Sequence, residues 1–110
     1  MNLFLLLFSV EHVTPDKPTL LVSPSSNFVL AASNVILTCT SGYTENVSFK
    51  FLKNSQVINS GNNELNIQSV ATSDSGTYSC VVTINGVDSL PSEPPHTITV
   101  IGKSLTYFNA

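Results

Sequence analysis

Apolar and polar residues alternate in short runs along most of the chain from Pro18 onward, and turn residues separate the runs. A repeat of two is the pattern of a β-strand with one buried face, because successive side chains point to opposite sides of the backbone. No run has the period of a helix and no internal repeat is present, so we expect an all-β fold. The runs predict strands over residues 19–22, 28–31, 35–39, 46–53, 56–59, 65–70, 77–84 and 97–101.

Glycine, proline and asparagine mark the places where the predicted strands end or change direction. Asn85-Gly86 between apolar residues indicates a two-residue hairpin, since a type I′ turn needs two residues with positive φ. Pro24 divides the first strand, which suits an edge strand that moves from one sheet to another because proline donates no ladder hydrogen bond. A proline-rich segment at residues 91–95 interrupts the strand that returns from the hairpin.

The strand predicted at residues 46–53 has one apolar and one polar face. The apolar face consists of Val47, Phe49 and Phe51, and the polar face consists of Asn46, Ser48 and Lys50. Asn46-Val47-Ser48 is also the one sequon for N-glycosylation in the sequence. If Val47 faces the core, Asn46 faces solvent, where a glycan can be attached in the secretory pathway. The alternative is an unmodified asparagine at the edge of a strand.

The most specific signal is the motif Asp-Ser-Gly-Thr-Tyr-Ser-Cys at residues 74–80. Asp74 and Gly76 suit a tight turn before the strand, because aspartate can bond its own backbone and glycine tolerates a positive φ. Three motifs together resemble those of the immunoglobulin superfamily over residues 18–102: Val-x-Leu-x-Cys at 35–39, Leu-x-Ile-x-x-Val at 65–70 and Asp-x-Gly-x-Tyr-x-Cys at 74–80. The resemblance implies an immunoglobulin-like, two-sheet antiparallel β-sandwich with one inter-sheet disulfide.

The resemblance also implies roles for individual core residues. A disulfide would join Cys39 to Cys80, and the ring of Tyr78 would pack inward while its hydroxyl bonds to the backbone a few residues upstream. Two free thiols in a reducing compartment are the alternative for the cysteines. The family usually places Trp against the disulfide, but this chain has none, and Phe51 takes the matching position, with Phe49 as the other candidate. The short distance between the cysteines favours the C2 or I type over the variable type.

Two segments are similar to Fc-receptor-type and platelet–endothelial adhesion-type domains, namely residues 49–55 and the Ser-Leu-Pro-Ser stretch at 89–92. This narrower resemblance implies an extracellular recognition or adhesion module that binds a protein partner as part of a cell-surface immune-type receptor. Any attachment to a membrane would then come from segments absent from this chain. The alternative is a free secreted domain acting as a soluble ligand or decoy. Exposed turns are expected to carry binding, and the candidates are Lys53, Asn54, Asn85, Gly86, Val87 and Asp88.

Charged residues are few: four lysines, no arginine and seven acidic residues give a net charge of −3. Without a basic patch to neutralise phosphates, nucleic acid is excluded as a partner. His12 and His96 are not accompanied by a serine and an acid in any recognised motif, and no zinc or calcium spacing is present. We therefore expect no catalytic site, no metal site and no cofactor.

The two ends of the chain differ from the domain expected at residues 17–102. Residues 1–16 contain an apolar run that is too short to span a bilayer but resembles the core of a secretory signal. The run lacks a preceding lysine or arginine and a clear cleavage site, so a linker or a fragment boundary is the alternative. Residues 103–110 are expected to form a tail.

Overall fold

The computed structural model describes residues 14–102, so the predicted tail and all but the last residues of the predicted leader lie outside the described residues. Nine strands and one short 3₁₀ turn, Thr72–Asp74, make up the regular structure of this range. In chain order the strands are β1 (Thr19–Ser23), β2 (Phe28–Leu30), β3 (Val35–Thr40), β4 (Val47–Lys53), β5 (Gln56–Gly61), β6 (Glu64–Ile67), β7 (Gly76–Ile84), β8 (Val87–Asp88) and β9 (His96–Ile101). No helix in this range is long and apolar enough to cross a membrane.

The strands form two sheets, and the all-β sandwich expected from the sequence is confirmed. The smaller sheet has the order β1-β3-β6; the larger has the order β2-β9-β7-β4-β5, with the short β8 paired to β7. Neighbouring strands are antiparallel except β2 and β9, which run parallel. The chain passes directly from β5 in the larger sheet to β6 in the smaller one. The extra strand pair of variable-type domains is therefore absent between residues 14 and 102.

The break at Pro24 separates two strands that belong to different sheets. β1 pairs with β3 in the smaller sheet, whereas β2 pairs with β9 in the larger sheet. Asn27 ties the crossing to the larger sheet: its side-chain amide donates to the carbonyl oxygen of Thr97 at 2.7 Å, and its own carbonyl accepts from the N–H of Thr99 at 2.7 Å. One N-terminal segment therefore supplies an edge to both sheets.

The core lies between the sheets and contains the alternating residues that the sequence pattern predicts. Val35, Leu37 and Cys39 of β3 are buried, and Phe51 and Cys80 are buried on the facing side of the larger sheet. A disulfide joins Cys39 to Cys80, 41 residues later, with 6.1 Å between the two Cα atoms, so the expected pairing is confirmed. In the chain-entropy account, closing a loop of this length stabilises the fold by about 4 kcal/mol.

Most strands begin or end one to three residues away from the prediction, and three of these differences can be read from the local backbone or pairing. β4 begins at Val47, since Asn46 has a φ of 55°, which lies outside the strand region. β5 continues to Gly61 because its ladder with β4 extends that far. β6 ends at Ile67 instead of reaching residue 70, and Ser69 has a φ of 52°.

Candidate functional site

The turn that leads into β7 is held by Tyr78 and Asp74. The ring of Tyr78 is almost completely buried, and its hydroxyl donates a hydrogen bond of 2.5 Å to the carbonyl oxygen of Asp74. The Asp74 carboxylate accepts a hydrogen bond of 2.8 Å from the N–H of Ala71, which closes the 3₁₀ turn. Burial raises the pKa of Tyr78, and the negative charge of Asp74 raises it further. Both side chains therefore serve the fold.

Gly76 is favoured by close packing and not by its backbone conformation. Its φ lies outside the left-handed region, so the prediction that this glycine supplies a positive φ is wrong. A Cβ at Gly76 would lie 2.9 Å from Cε and 3.1 Å from Cγ of Lys53, and 3.3 Å from Nδ2 of Asn54. A side chain at position 76 would therefore displace the Lys53 side chain, which comes from the neighbouring strand β4.

The predicted binding residues Lys53 and Asn54 are engaged in hydrogen bonds within the domain. The Lys53 ammonium donates to the carbonyl oxygen of Ser73 at 2.5 Å. Asn54 bonds the backbone of Thr77 twice: its N–H donates to the Thr77 carbonyl oxygen at 2.8 Å, and its Oδ1 accepts from the Thr77 N–H at 3.0 Å. Asn54 and Ser55 have φ values of 51° and 70°, which form the tight turn between β4 and β5. These bonds tie the turn at Asn54 to the start of β7 and orient both side chains within the domain.

The hairpin between β7 and β8 projects more freely. Asn85 and Gly86 have φ values of 51° and 83°, as a type I′ turn requires, and they join the paired residues Ile84 and Val87. Nothing lies within 4 Å of a Cβ built on Gly86. The Val87 side chain is 44% exposed. The tip therefore presents an apolar side chain on a short, well-defined turn.

Asp88 anchors this hairpin to the sheet. Its carboxylate accepts a hydrogen bond of 2.6 Å from the Thr83 hydroxyl and one of 2.9 Å from the Lys50 ammonium. The bond from Thr83 is the largest cause of a lowered Asp88 pKa, and the bond and charge of Lys50 lower it further. Asp88 was a candidate for partner binding, but its two oxygens hold the hairpin against β7 and β4.

The sequon asparagine lies next to the hairpin. Asn46 is exposed in the loop before β4, and its carbonyl oxygen accepts a hydrogen bond of 3.3 Å from the N–H of Asn85. The same loop carries Tyr43, which is 36% exposed and whose hydroxyl oxygen accepts from the N–H of Asp16 at 3.0 Å. Tyr43 was missed in the sequence analysis, although an aromatic residue in a polar loop is a usable signal. We call residues 41–46 and 85–88 together the hairpin end.

The two groups of predicted binding residues lie at opposite ends of the sandwich. β4 connects them: Val47 pairs with Ile84 beside the hairpin, and Lys53 pairs with Tyr78 beside the other turn. Seven strand residues span about 20 Å. Lys53 and Asn54 therefore cannot form one compact site with Asn85–Asp88.

The two buried serines of the Ser-Leu-Pro-Ser stretch replace ladder bonds where the proline segment interrupts the last strand, a role that was not predicted from the sequence. The hydroxyl oxygens of Ser89 and Ser92 accept from the N–H groups of Val82 at 3.1 Å and Cys80 at 3.0 Å. The proline segment borders a groove of about 330 Å³ on the outer face of the larger sheet, which lies between residues 91–95 and the turn at Asn54. Serine beside proline in an interrupted strand is the sequence signal for this arrangement.

The described residues give no support to a catalytic or metal site. His96 is half-buried at the start of β9, opposite Tyr78 in the ladder, and its Nε2 is buried without a hydrogen-bond partner. Across residues 14–102, no group of three or more His, Cys, Asp or Glu side chains is arranged to hold a metal ion. His12 lies outside the described residues.

Comparison with known proteins gives one family and several similar folds. A family model described as an immunoglobulin domain matches residues 17–83, which is more than half of the chain. Among solved structures, the chain is similar to the second Ig-C2 domain of human Fc-receptor like A, with 28% identity and a TM-score of 0.65; the match covers 78% of this chain and 98% of that one. No curated protein matches the sequence.

Two mouse structures share the fold at lower identity. Murine CEACAM1b matches at 23% identity with a TM-score of 0.67, covering 82% of this chain and 47% of that one. A mouse coronavirus receptor-binding domain complexed with its murine receptor contains a chain that matches at 24% identity with a TM-score of 0.66, with the same coverages of 82% and 47%. This chain therefore spans about half the length of those two chains, and the likeness concerns the fold.

Proposed function

The chain belongs to the immunoglobulin superfamily, and from this we propose that it is an extracellular recognition module that binds a protein partner through its hairpin end. The observation that carries the proposal is the exposure of Val87 at the tip of a tight hairpin that is anchored to the sheet. Rigid sandwiches characteristically present such loops to partners.

The hairpin end has the composition of a recognition surface. It exposes the apolar Val87 and the aromatic Tyr43, and the bond between Asn85 and Asn46 brings their two loops together. Aromatic residues are enriched in protein interfaces, since they supply a large contact area at small entropic cost. At the opposite end, Lys53 and Asn54 are polar and are partly engaged in bonds within the domain, so the hairpin end is the stronger candidate.

The anchored hairpin favours binding, because it has less conformational freedom to lose when a partner binds. The bonds from Asp88 to Thr83 and Lys50 fix the base of the hairpin, and the type I′ turn fixes its tip. Immobilising a free side chain or loop at an interface costs about 0.5–1.5 kcal/mol per residue, and a pre-ordered hairpin avoids part of that cost.

Glycosylation of Asn46 is part of the proposal. The residue is exposed in a sequon, and the disulfide is of the kind formed in the same oxidising pathway that attaches N-glycans. Because Asn46 contacts Asn85, a glycan there would project beside the hairpin tip. We therefore expect the glycosylated and glycan-free forms to differ in partner binding.

The wider assignment to a cell-surface, immune-type receptor rests on similarity. One similar structure is a domain of human Fc-receptor like A, and another similar chain comes from a complex between a mouse coronavirus receptor-binding domain and its murine receptor. These relatives support protein recognition outside the cell as the role proposed here, with this chain as one domain of a longer protein.

The test is to add the soluble chain, assembled into a labelled tetramer, to a panel of intact cells and to measure its binding. We expect binding that disappears when surface proteins are digested with protease. Val87→Asp should weaken it by about tenfold or more, because a charge would replace the central apolar contact. Leu90→Asp is the matched control, since Leu90 is also an exposed aliphatic residue but lies outside the hairpin. Absence of binding, or an equal loss with Leu90→Asp, would contradict the proposal.

A further inference from the structure

Asn85-Gly86 is the one Asn-Gly pair in the sequence, and the fold places it at the exposed tip of the hairpin between β7 and β8. Asparagine is a chemically labile residue, because the backbone nitrogen of the next residue can attack its side-chain amide carbon. Glycine leaves this nitrogen most accessible, since it has no Cβ. The surrounding structure then determines whether the two groups are free to react.

The reacting groups at the tip are unbonded and open to solvent. Across residues 14–102, neither the Asn85 side-chain amide nor the Gly86 N–H takes part in a hydrogen bond. Apart from its chain neighbours, nothing lies within 4 Å of a Cβ built on Gly86. The tip is held by the pairing of Ile84 with Val87 and by the bond of 3.3 Å from the Asn85 N–H to the carbonyl oxygen of Asn46. Rotation about the Asn85 backbone therefore meets little resistance.

The other asparagines of the described range are less suited to this attack. Each is followed by a residue with a side chain, whose Cβ crowds the attacking nitrogen. Three also have side chains held by hydrogen bonds to backbone groups, namely Asn27, Asn34 and Asn54. Asn59 is exposed and precedes the small Ser60, but it lies in the ladder between β4 and β5. Asn85 therefore combines an open neighbour, a free amide and a position outside any ladder.

We propose that Asn85 is a site of spontaneous deamidation, at which the hairpin tip converts in water to a mixture of aspartate and isoaspartate. In the first step, the Gly86 nitrogen bonds to Cγ of Asn85 and a five-membered succinimide ring closes. The bond from Cγ to Nδ2 breaks, and Nδ2 leaves as ammonia with the proton lost from the Gly86 N–H. In the second step, water adds to one ring carbonyl carbon and breaks its bond to the Gly86 nitrogen, which regains a proton. Opening at Cγ gives aspartate, and opening at the main-chain carbon gives isoaspartate.

The products change the hairpin tip in two ways. Both add a carboxylate, which is ionised at neutral pH. Isoaspartate also carries the main chain through Cβ and Cγ, which adds one methylene to the backbone of a two-residue turn. A type I′ turn requires fixed positive φ at two successive residues, so the longer backbone no longer fits between Ile84 and Val87. We therefore expect the isoaspartate form to lose that pairing. The reaction does not depend on the function proposed above, although it alters the hairpin end.

The experiment incubates the disulfide-bonded full chain at body temperature and mildly alkaline pH, then reduces it, digests it with chymotrypsin and measures peptide masses over time. Deamidation raises the mass of the peptide that carries Asn85 by about one dalton, and electron-transfer fragmentation identifies isoaspartate. Asn85 should convert at least about tenfold faster than the exposed Asn59, a difference of about 1.4 kcal/mol in the barrier. Asn85→Gln is the matched variant. It should stay unconverted over the same period, because glutamine would have to close a six-membered ring.

Anion exchange separates the converted chains by their added charge, and amide hydrogen exchange then tests the turn. The Val87 N–H should exchange faster in the isoaspartate form than in the starting chain. An Asn85 that stays intact, or converts no faster than Asn59, would overturn the proposal. So would conversion that occurs only in urea, since the folded turn would then prevent the attack. An isoaspartate form in which the Val87 N–H keeps its protection would contradict the loss of pairing with Ile84.

Discussion

Truncation of Phe51 tests both the register of β4 and the use of Phe in the place usually held by Trp. Phe51 is completely buried and pairs with Cys80 in the ladder between β4 and β7, beside the disulfide. Phe51→Ala would leave a cavity in the core at this point. Large aromatic-to-alanine changes in cores cost about 3–5 kcal/mol, because apolar burial is lost and the surroundings relax only partly. A domain whose total stability is about 5–15 kcal/mol would lose a large share of it.

Two neighbouring positions provide graded controls on the same strand. Phe49 shares the core-facing side but is only partly buried, so Phe49→Ala should cost less than Phe51→Ala. Lys50 points to the opposite face, where it forms a partly exposed ion pair with Asp88 at 2.9 Å. Surface ion pairs contribute about 0–1 kcal/mol, so Lys50→Ala should change stability by no more than about that amount.

Urea unfolding followed by circular dichroism measures all three variants under oxidising conditions. With a slope of about 2 kcal/mol per molar urea, a loss of about 4 kcal/mol lowers the unfolding midpoint by about 2 M for Phe51→Ala. If Lys50→Ala were the most costly change, the strand would face the other way and every facing assignment along it would be wrong. If Phe49→Ala cost more than Phe51→Ala, the face would be right but the residue packed against the disulfide would be Phe49.

Three further predictions concern the turns and loops. Gly76→Ala should lower the free energy of unfolding by about 1 kcal/mol, because the added Cβ displaces the Lys53 side chain and breaks its hydrogen bond to Ser73; a neutral result in the same urea assay would contradict the packing account. Expression in a secretory host should attach a glycan at Asn46 that a glycosidase removes with a mass shift, and Asn46→Gln should abolish that shift; an unshifted wild-type mass refutes it. Because the pKa of Asp88 is lowered in the folded domain, its ionised carboxylate stabilises the fold. This stabilisation is fully present above the ordinary pKa of 3.8 and is lost as the pH falls through the lower pKa of the folded state. The gap in urea midpoint between wild type and Asp88→Asn should therefore narrow below about pH 4, and a gap that stays constant with pH would argue against the bond from Thr83.

Local sequence determined the strands, their buried faces and the cross-link. Alternation has a period of two whatever the strand pairs with, so the buried side of β3, with Val35, Leu37 and Cys39, could be predicted before any partner strand was known. The Asn85-Gly86 turn was equally local, since positive φ at two successive residues depends on those residues themselves. The disulfide followed from the family resemblance of the motifs around the two cysteines.

Tertiary structure decided every feature that depends on which strands become neighbours. The need for glycine at position 76 comes from Lys53, 23 residues earlier, because β4 pairs with β7 and brings that side chain across it. The same pairing places Lys50 against Asp88, 38 residues later, and turns a candidate binding residue into an anchor. Asn46 meets the hairpin for the same reason. A period read along one strand carries no information about side chains that arrive from another, so these contacts required the assembled sheet.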